Sequence, residues 1–208
     1  MPNTSIGSSH DRILHAAKQL FAQNGYDNTS TLAIAREAGT SESQLMKHFG
    51  CKQGLLIAIF DRGWNKITER VNATNHAASP ADRLLNVLTA ASIEFECDPQ
   101  LKVLVALEAR RVRKDTTEIA MSRGYRRYRE LIDHTLVEMR SEGQIRADLN
   151  LDAVRAAFIG IADGLWRDQI VANRAGIPSR YNLDDIQTVL ELLVGAFQEP
   201  PAQQARAS

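Results

Sequence analysis

Cysteine is scarce in this 208-residue chain, with only Cys51 and Cys97, far apart and without metal-ligand spacing around either. That argues against a disulfide framework and for reduced thiols in a cytosolic protein. An excess of either charge is missing too, since Lys+Arg 25 balances Asp+Glu 25. No global field draws nucleic acid, and any phosphate binding must come from a local patch. No apolar run approaches the roughly 18–20 residues needed to span a bilayer, and the N-terminus lacks the basic-then-apolar order of a signal peptide. The five histidines (His10, His15, His48, His76, His134) are scattered, and no HExxH, GxSxG or P-loop occurs. No catalytic set, metal site or cofactor is therefore expected, which speaks against an enzyme. Strand-like alternation and internal repeats are also absent. These absences leave a cytoplasmic, all-α protein of roughly nine helices with no membrane association.

Hydrophobic residues make up 44% of the chain, enough for a substantial core. Residues 1–9 are small and polar and read as a disordered arm, with Ser8 and Asp11 a cap pair. Ile13, Leu14, Ala17, Leu20 and Phe21 then recur at helical spacing until Gly25. From Ser30 to Leu55 the pattern is two short helices joined by a Gly-containing turn and followed by a longer helix. Leu32, Ala35 and Ala38 form an apolar stripe, and Gly39 marks the exit from the helix. Ser41 with Gln44 three residues on predicts a capping box, the hydroxyl taking a free N–H and the amide reaching back. Leu45 and Phe49 are expected in the core, which turns Ser43, Gln44, Lys47 and His48 outward. This is the layout of a helix-turn-helix, although any small helical hairpin shares part of the pattern.

No flexible linker follows. A helix from Lys52 through Leu55, Leu56, Ile59, Phe60, Trp64 and Ile67 to about Val71 reads as a rigid strut, and 72–79 as the first loop. Ser79-Pro80 and Asp98-Pro99 each open a helix. The second ends in Arg110, Arg111, Arg113 and Lys114, cations that complement the macrodipole. A further helix from about Thr117 to Glu142 carries Arg123, Arg126, Arg127 and Arg129 beside Tyr125 and Tyr128, a face that reads as solvated more readily than as nucleic-acid-binding. The next has small residues at Ala153, Ala156, Ala157, Gly160 and Gly164, where another helix can approach closely. In the last helix, about 183–197, Ile186, Val189, Leu190, Leu193, Val194 and Phe197 cover more than one stripe, as in a helix buried on two sides. Residues 199–208 read as a disordered tail.

The segment Arg12 to Tyr26 (R-I-L-x-A-A-x-x-L-F-A-x-x-G-Y), with Thr29-Ser30, Ile34-Ala35, Ala38-Gly39, Ser41, Leu45, His48-Phe49, Lys52 and Leu55, resembles the TetR family of one-component bacterial transcriptional regulators. A weaker likeness continues through Glu142 to Asp148 and Ala162 to Trp166. The resemblance implies a helix-turn-helix DNA-binding domain over 10–54 and a ligand-binding and dimerisation domain over 55–198. It also implies a homodimer joined through the last two helices, about 151–172 and 183–197, on a palindromic or near-palindromic operator. Two features depart from it. Met46 stands where the family usually has a tyrosine, so a phosphate contact is lost or becomes apolar. Leu32 and Ala33 replace residues that are often charged.

The expected DNA-binding residues are Ser30, Thr31, Ser43, Gln44, Met46, Lys47, His48 and Lys52. Gln44 can present a bidentate amide to adenine, Lys47 can read guanine or hold the backbone, and His48 and Lys52 suit phosphates. The resemblance places Trp64, Phe95, Leu104, Glu108, Arg111, Tyr125, Tyr128, His134 and Trp166 around a cavity for an unknown small-molecule effector. Glu108 is a carboxylate on an apolar face, with Arg111 near enough on the same helix to pair with it. The function these residues imply is a ligand-responsive regulator, a repressor released from its operator by a small molecule. A helical small-molecule carrier or enzyme, or a regulator without an effector, is the competing reading.

Overall fold

The computed structural model describes residues 8–74, 79–107 and 122–198. Among them are nine α-helices: α1 Ser9–Asn24, α2 Thr31–Glu37, α3 Glu42–Phe49, α4 Lys52–Thr74, α5 Pro80–Cys97, α6 Pro99–Leu107, α7 Arg123–Ser141, α8 Leu151–Arg174 and α9 Leu183–Phe197. No strand forms among these residues, apart from one isolated antiparallel bridge between Ile145 and Gln198. The all-α architecture expected from the periodicity is the one observed.

Two units form. One contains residues 1–65 and 95–126, the other 66–94 and 127–208. In the first, Ile13, Leu14, Ala17 and Phe21 of α1 are buried with Ile34, Ala35 and Ala38 of α2, Leu45 of α3 and Leu55, Leu56, Ile59 and Phe60 of α4. The α1 and α6 helices are tied by the Lys18 ammonium, 2.6 Å from Asp98 Oδ2, while the other oxygen of Asp98 accepts the Leu101 N–H and caps α6. In the second unit, Leu84, Val87, Leu88, Ile132, Leu136, Val154, Phe158, Ile170, Ile186 and Leu190 are buried. The Glu94 carboxylate, also buried, sits 3.5 Å from both Lys66 and Arg70.

Helix ends follow local chemistry. Ser8, Ser30, Ser41, Asn150 and Asn182 each accept a first-turn N–H, and Asn182 with Asp185 completes a reciprocal capping box. Several boundaries differ from the sequence reading. The α4 helix runs on through Asn72 and Ala73 to Thr74, where a loop was expected, because nothing before that point breaks the helix. Ser9, expected in the mobile arm, is the first residue of α1. The region 117–121 lies outside the described residues, and α7 begins at Arg123. The arm through residue 7, the tail 199–208 and the basic run from Arg110 to Lys114 also lie outside them. Cys51 and Cys97 are free and exposed.

Among the described residues, the last helix buries only one side. Ile186, Leu190 and Val194 are buried, whereas Val189 is 40% and Leu192 70% exposed. On α8, Ala153, Ala156, Gly160 and Gly164 are exposed, and a Cβ built on either glycine meets nothing within 4 Å.

Between α8 and α9, Tyr181 donates its hydroxyl to the Leu165 carbonyl at 2.6 Å and lies 3.1 Å from Asp168 Oδ2. Partial burial, then the neighbouring Asp168 carboxylate, pushes the phenol up from 10.0 to about 12. A raised folded-state pKa means that the stabilisation is whole below the unfolded value of 10.0 and is lost as the pH rises through about 12. Tyr181→Phe is expected to cost about 1 kcal/mol at neutral pH and to flatten the loss of stability across that alkaline window. Urea unfolding below and above the window checks both.

Candidate nucleic-acid interface

Gly39 adopts φ +61° and ends α2 with paired hydrogen bonds, Gly39 N–H to Arg36 O at 3.1 Å and Thr40 N–H to Ala35 O at 2.9 Å. This pattern needs a left-handed residue, which glycine supplies without a steric penalty. Arg12 of α1 donates to the Ala38 carbonyl at 3.2 Å, fixing the end of α2 from below. Ser41 Oγ accepts the Gln44 N–H at 3.2 Å and starts α3. The reciprocal half of the expected capping box is absent. Gln44 Oε1 instead accepts the Thr40 hydroxyl at 2.7 Å. That bond uses one lone pair of the amide oxygen and leaves the second lone pair and the NH2 group for a ligand.

Leu45 is fully buried and anchors α3. Phe49, expected in the core beside it, is only half-buried: it packs against the exposed His10 ring, with centroids 4.7 Å apart. Leu32, assigned to the inner stripe of α2, is 46% exposed, and Ile34 takes the inward position with Ala35 and Ala38. Residue 32 shares a side with residue 35, three positions on, and packing decides between them: the buried arc is centred on residues 34, 35 and 38 and leaves residue 32 at its margin.

The outward face of α3 carries Ser43, Gln44, Met46, Lys47 and His48, all exposed. No hydrogen bond or ion pair among the described residues engages Ser43 or Lys47. Apart from Met46, the remaining candidates are held by the protein itself. His48 Nε2 lies 3.0 Å from Ser9 Oγ, and its ring meets His10 edge-on at 5.7 Å. Lys52 places its ammonium 4.4 Å from the Tyr26 ring centroid and donates to the Asp27 carbonyl at 3.3 Å. Thr31 donates to the Glu42 carboxylate. Ser30 caps α2 by accepting the Ala33 N–H at 3.1 Å, a bond that leaves its own hydroxyl hydrogen available. Thr40, Glu42, Ser9 and His10 were not singled out from the sequence, because each acts by touching a candidate rather than by matching a motif.

The body candidates fall in both units. In the first, Trp64 packs against Phe95 at 6.0 Å and Tyr125 at 5.1 Å, and Leu104 is fully buried. Gly124 lets the start of α7 close on α4: its N–H donates to Asp61 Oδ1 at 2.6 Å, and an added Cβ meets Trp64 Cβ at 2.8 Å. In the second unit, Tyr128 and Trp166 are buried, and the Trp166 indole donates to Ser92 Oγ at 3.3 Å. His134 is on the surface, its side chain 77% exposed and 3.6 Å from Glu138. Glu108 and Arg111 lie outside the described residues.

Comparison with known proteins agrees with this architecture over most of the chain. Residues 13–59 match the model of bacterial regulatory proteins, tetR family, and residues 60–196 match the C-terminal region of YsiA-like proteins. The fatty acid metabolism regulator protein of Bacillus subtilis is 25% identical over 89% of this chain and 94% of its own. The structure of the transcriptional regulator FadR from Bacillus subtilis in complex with stearoyl-CoA superposes with a TM-score of 0.79 at 21% identity, covering 89% of this chain and 97% of that one. AibR in complex with isovaleryl coenzyme A and operator DNA gives 0.69 at 18% identity over 90% and 99%.

Proposed function

The chain belongs to the tetR family of bacterial regulatory proteins and is a ligand-responsive, DNA-binding transcriptional regulator; from that premise we propose that it is a homodimeric repressor released from its operator by an acyl-coenzyme A thioester. The observation that carries the DNA reading is the outward face of α3, where Ser43, Gln44 and Lys47 stand clear of the core that Leu45 enters. Residues 10–54 form the DNA-binding domain in this proposal, and 55–198 the ligand-binding and dimerisation domain. Ser43, Gln44 and Lys47 enter the major groove. Ser30 and His48 meet phosphates, and Thr31 and Lys52 join them on leaving Glu42 and Tyr26.

The effector class is supported by two structural relatives that hold stearoyl-CoA and isovaleryl coenzyme A. Within the first unit, Trp64, Phe95, Leu104 and Tyr125 supply apolar and aromatic surface suited to an acyl chain, with Glu108 and Arg111 as polar candidates. Dimerisation through α8 and α9 is supported by the exposed small residues Ala153, Ala156, Gly160 and Gly164 and the exposed Val189 and Leu192. A symmetric dimer reads two half-sites about 34–36 Å apart. A thioester that favours another spacing of the reading helices lowers operator affinity by its differential binding, about 1–3 kcal/mol in typical couplings. The α4 helix, unbroken over 23 residues, is the element suited to carry that change.

Footprinting on DNA flanking the protein's own coding region, with and without acyl-coenzyme A of varied chain length, tests the proposal. Salt-sensitive, sequence-specific protection that the thioester removes is the expected result. Absence of specific protection removes the DNA reading, and protection indifferent to every thioester removes the effector. Gln44→Ala is expected to relax discrimination at one base position by about 1–3 kcal/mol while weakening non-specific binding little, as a competition series of operator variants would show.

A further inference from the structure

Met46 is one of two large hydrophobic side chains exposed among the described residues of the head (10–54), the other being Leu32 on α2. It stands one residue beyond the buried anchor Leu45, at 42% exposure, along one edge of the outward face of α3. Ser43, Met46 and Lys47 follow the i, i+3, i+4 spacing that places them side by side on one helix face. Met46 and Lys47 therefore lie on either side of Ser43, and a thioether borders the polar, groove-facing surface. Methionine has no donor and only a weak acceptor, so it cannot hold a phosphate oxygen as the neighbouring Lys47 can. What it offers is an unbranched, adaptable apolar surface, here open to water in the free protein.

The edges of base pairs in the major groove carry one apolar group, the C5-methyl of a pyrimidine; every other feature is a hydrogen-bond donor or acceptor. We infer that Met46 is a specificity-determining residue that packs on this methyl group, that of thymine in unmodified DNA, one base step away from the positions met by Ser43 or Lys47. The inference rests on the DNA-reading role proposed for α3. Apolar contact is worth less than a bidentate hydrogen-bond pair, and burying one methyl group against Met46 corresponds to about a four-fold change in affinity per half-site.

Operators in which each thymine is replaced singly by deoxyuridine remove the methyl and preserve all hydrogen-bonding groups. With the full-length protein, one thymine per half-site is expected to show a loss of about four-fold on this exchange. Met46→Ala, at an exposed site whose unchanged thermal melt verifies folding, is expected to bind thymine and deoxyuridine operators equally, while the base preference due to Gln44 persists. Met46→Leu restores the discrimination. Replacing cytosine with 5-methylcytosine in an operator carrying C at that position is expected to raise wild-type affinity and leave Met46→Ala unaffected, which separates the methyl from the rest of the thymine ring. The inference is overturned if no thymine-to-deoxyuridine exchange affects the wild type. It is equally overturned if the loss survives in Met46→Ala, or if Met46→Ala weakens all sequences alike, as a contact with deoxyribose would. Lack of any specific binding by the wild type instead points to failure of the DNA-reading role itself.

Discussion

Replacing Leu45 by alanine is expected to remove about 2–5 kcal/mol of stability and, with it, operator binding at 37 °C. Leu45 is fully buried and is the anchor through which α3 is held against the rest of the head. The loss is large because deletion leaves a cavity that the short α3, eight residues long, has few other buried contacts to offset. Phe49, its neighbour one turn on, is half-buried and lies against His10, so it does not duplicate the anchor. Native domains have only about 5–15 kcal/mol in all, so a loss of this size populates states in which Ser43, Gln44 and Lys47 are not presented together. Leu45→Met keeps the volume and is expected to cost less than about 1.5 kcal/mol, with binding retained. Urea unfolding and operator titration on both variants check the pair. If Leu45→Ala bound the operator normally at 37 °C, α3 would be held by something other than this side chain.

Leu192→Glu is expected to convert the protein to a monomer and to lower operator affinity by about two to four orders of magnitude, because the second half-site contact is then no longer intramolecular. Leu192 is 70% exposed on α9, beside the exposed Val189 and in the same unit as the open glycines of α8. Such a substitution on a free surface changes stability by no more than about 0.5 kcal/mol. In a closed two-fold interface it instead places two like charges in apolar surroundings. Light scattering with operator titration distinguishes these cases. A Leu192→Glu protein that remains dimeric with wild-type affinity would show that the dimer is built elsewhere.

Much of the fold was legible because its signals are local. The caps at Ser8 and Ser41 and the terminations at Gly25 and Gly39 depend on residues within a turn of one another. The same holds for α9, whose expected and observed bounds coincide. Misreadings arose where two local interpretations competed. Leu32 fits either face of α2 by hydrophobicity alone, and only the packing of Ile34 decides the matter. The polar stretch after Val71 resembles a loop but continues as helix to Thr74.

The sequence by itself determined an all-α chain, the helix-turn-helix with its glycine turn, the family, and which residue types stand on the outward face of α3. Tertiary structure decided which of those side chains remain available. Thr40 takes an oxygen lone pair of Gln44, Glu42 takes the Thr31 hydroxyl, Ser9 meets His48, and the turn at Tyr26 and Asp27 holds Lys52. Long polar side chains choose among several partners of similar energy, and the choice rests on which backbones packing brings near, up to 39 residues apart in the case of Ser9 and His48. A pattern of residue types records capacity for a contact; the packed core settles where that capacity is spent.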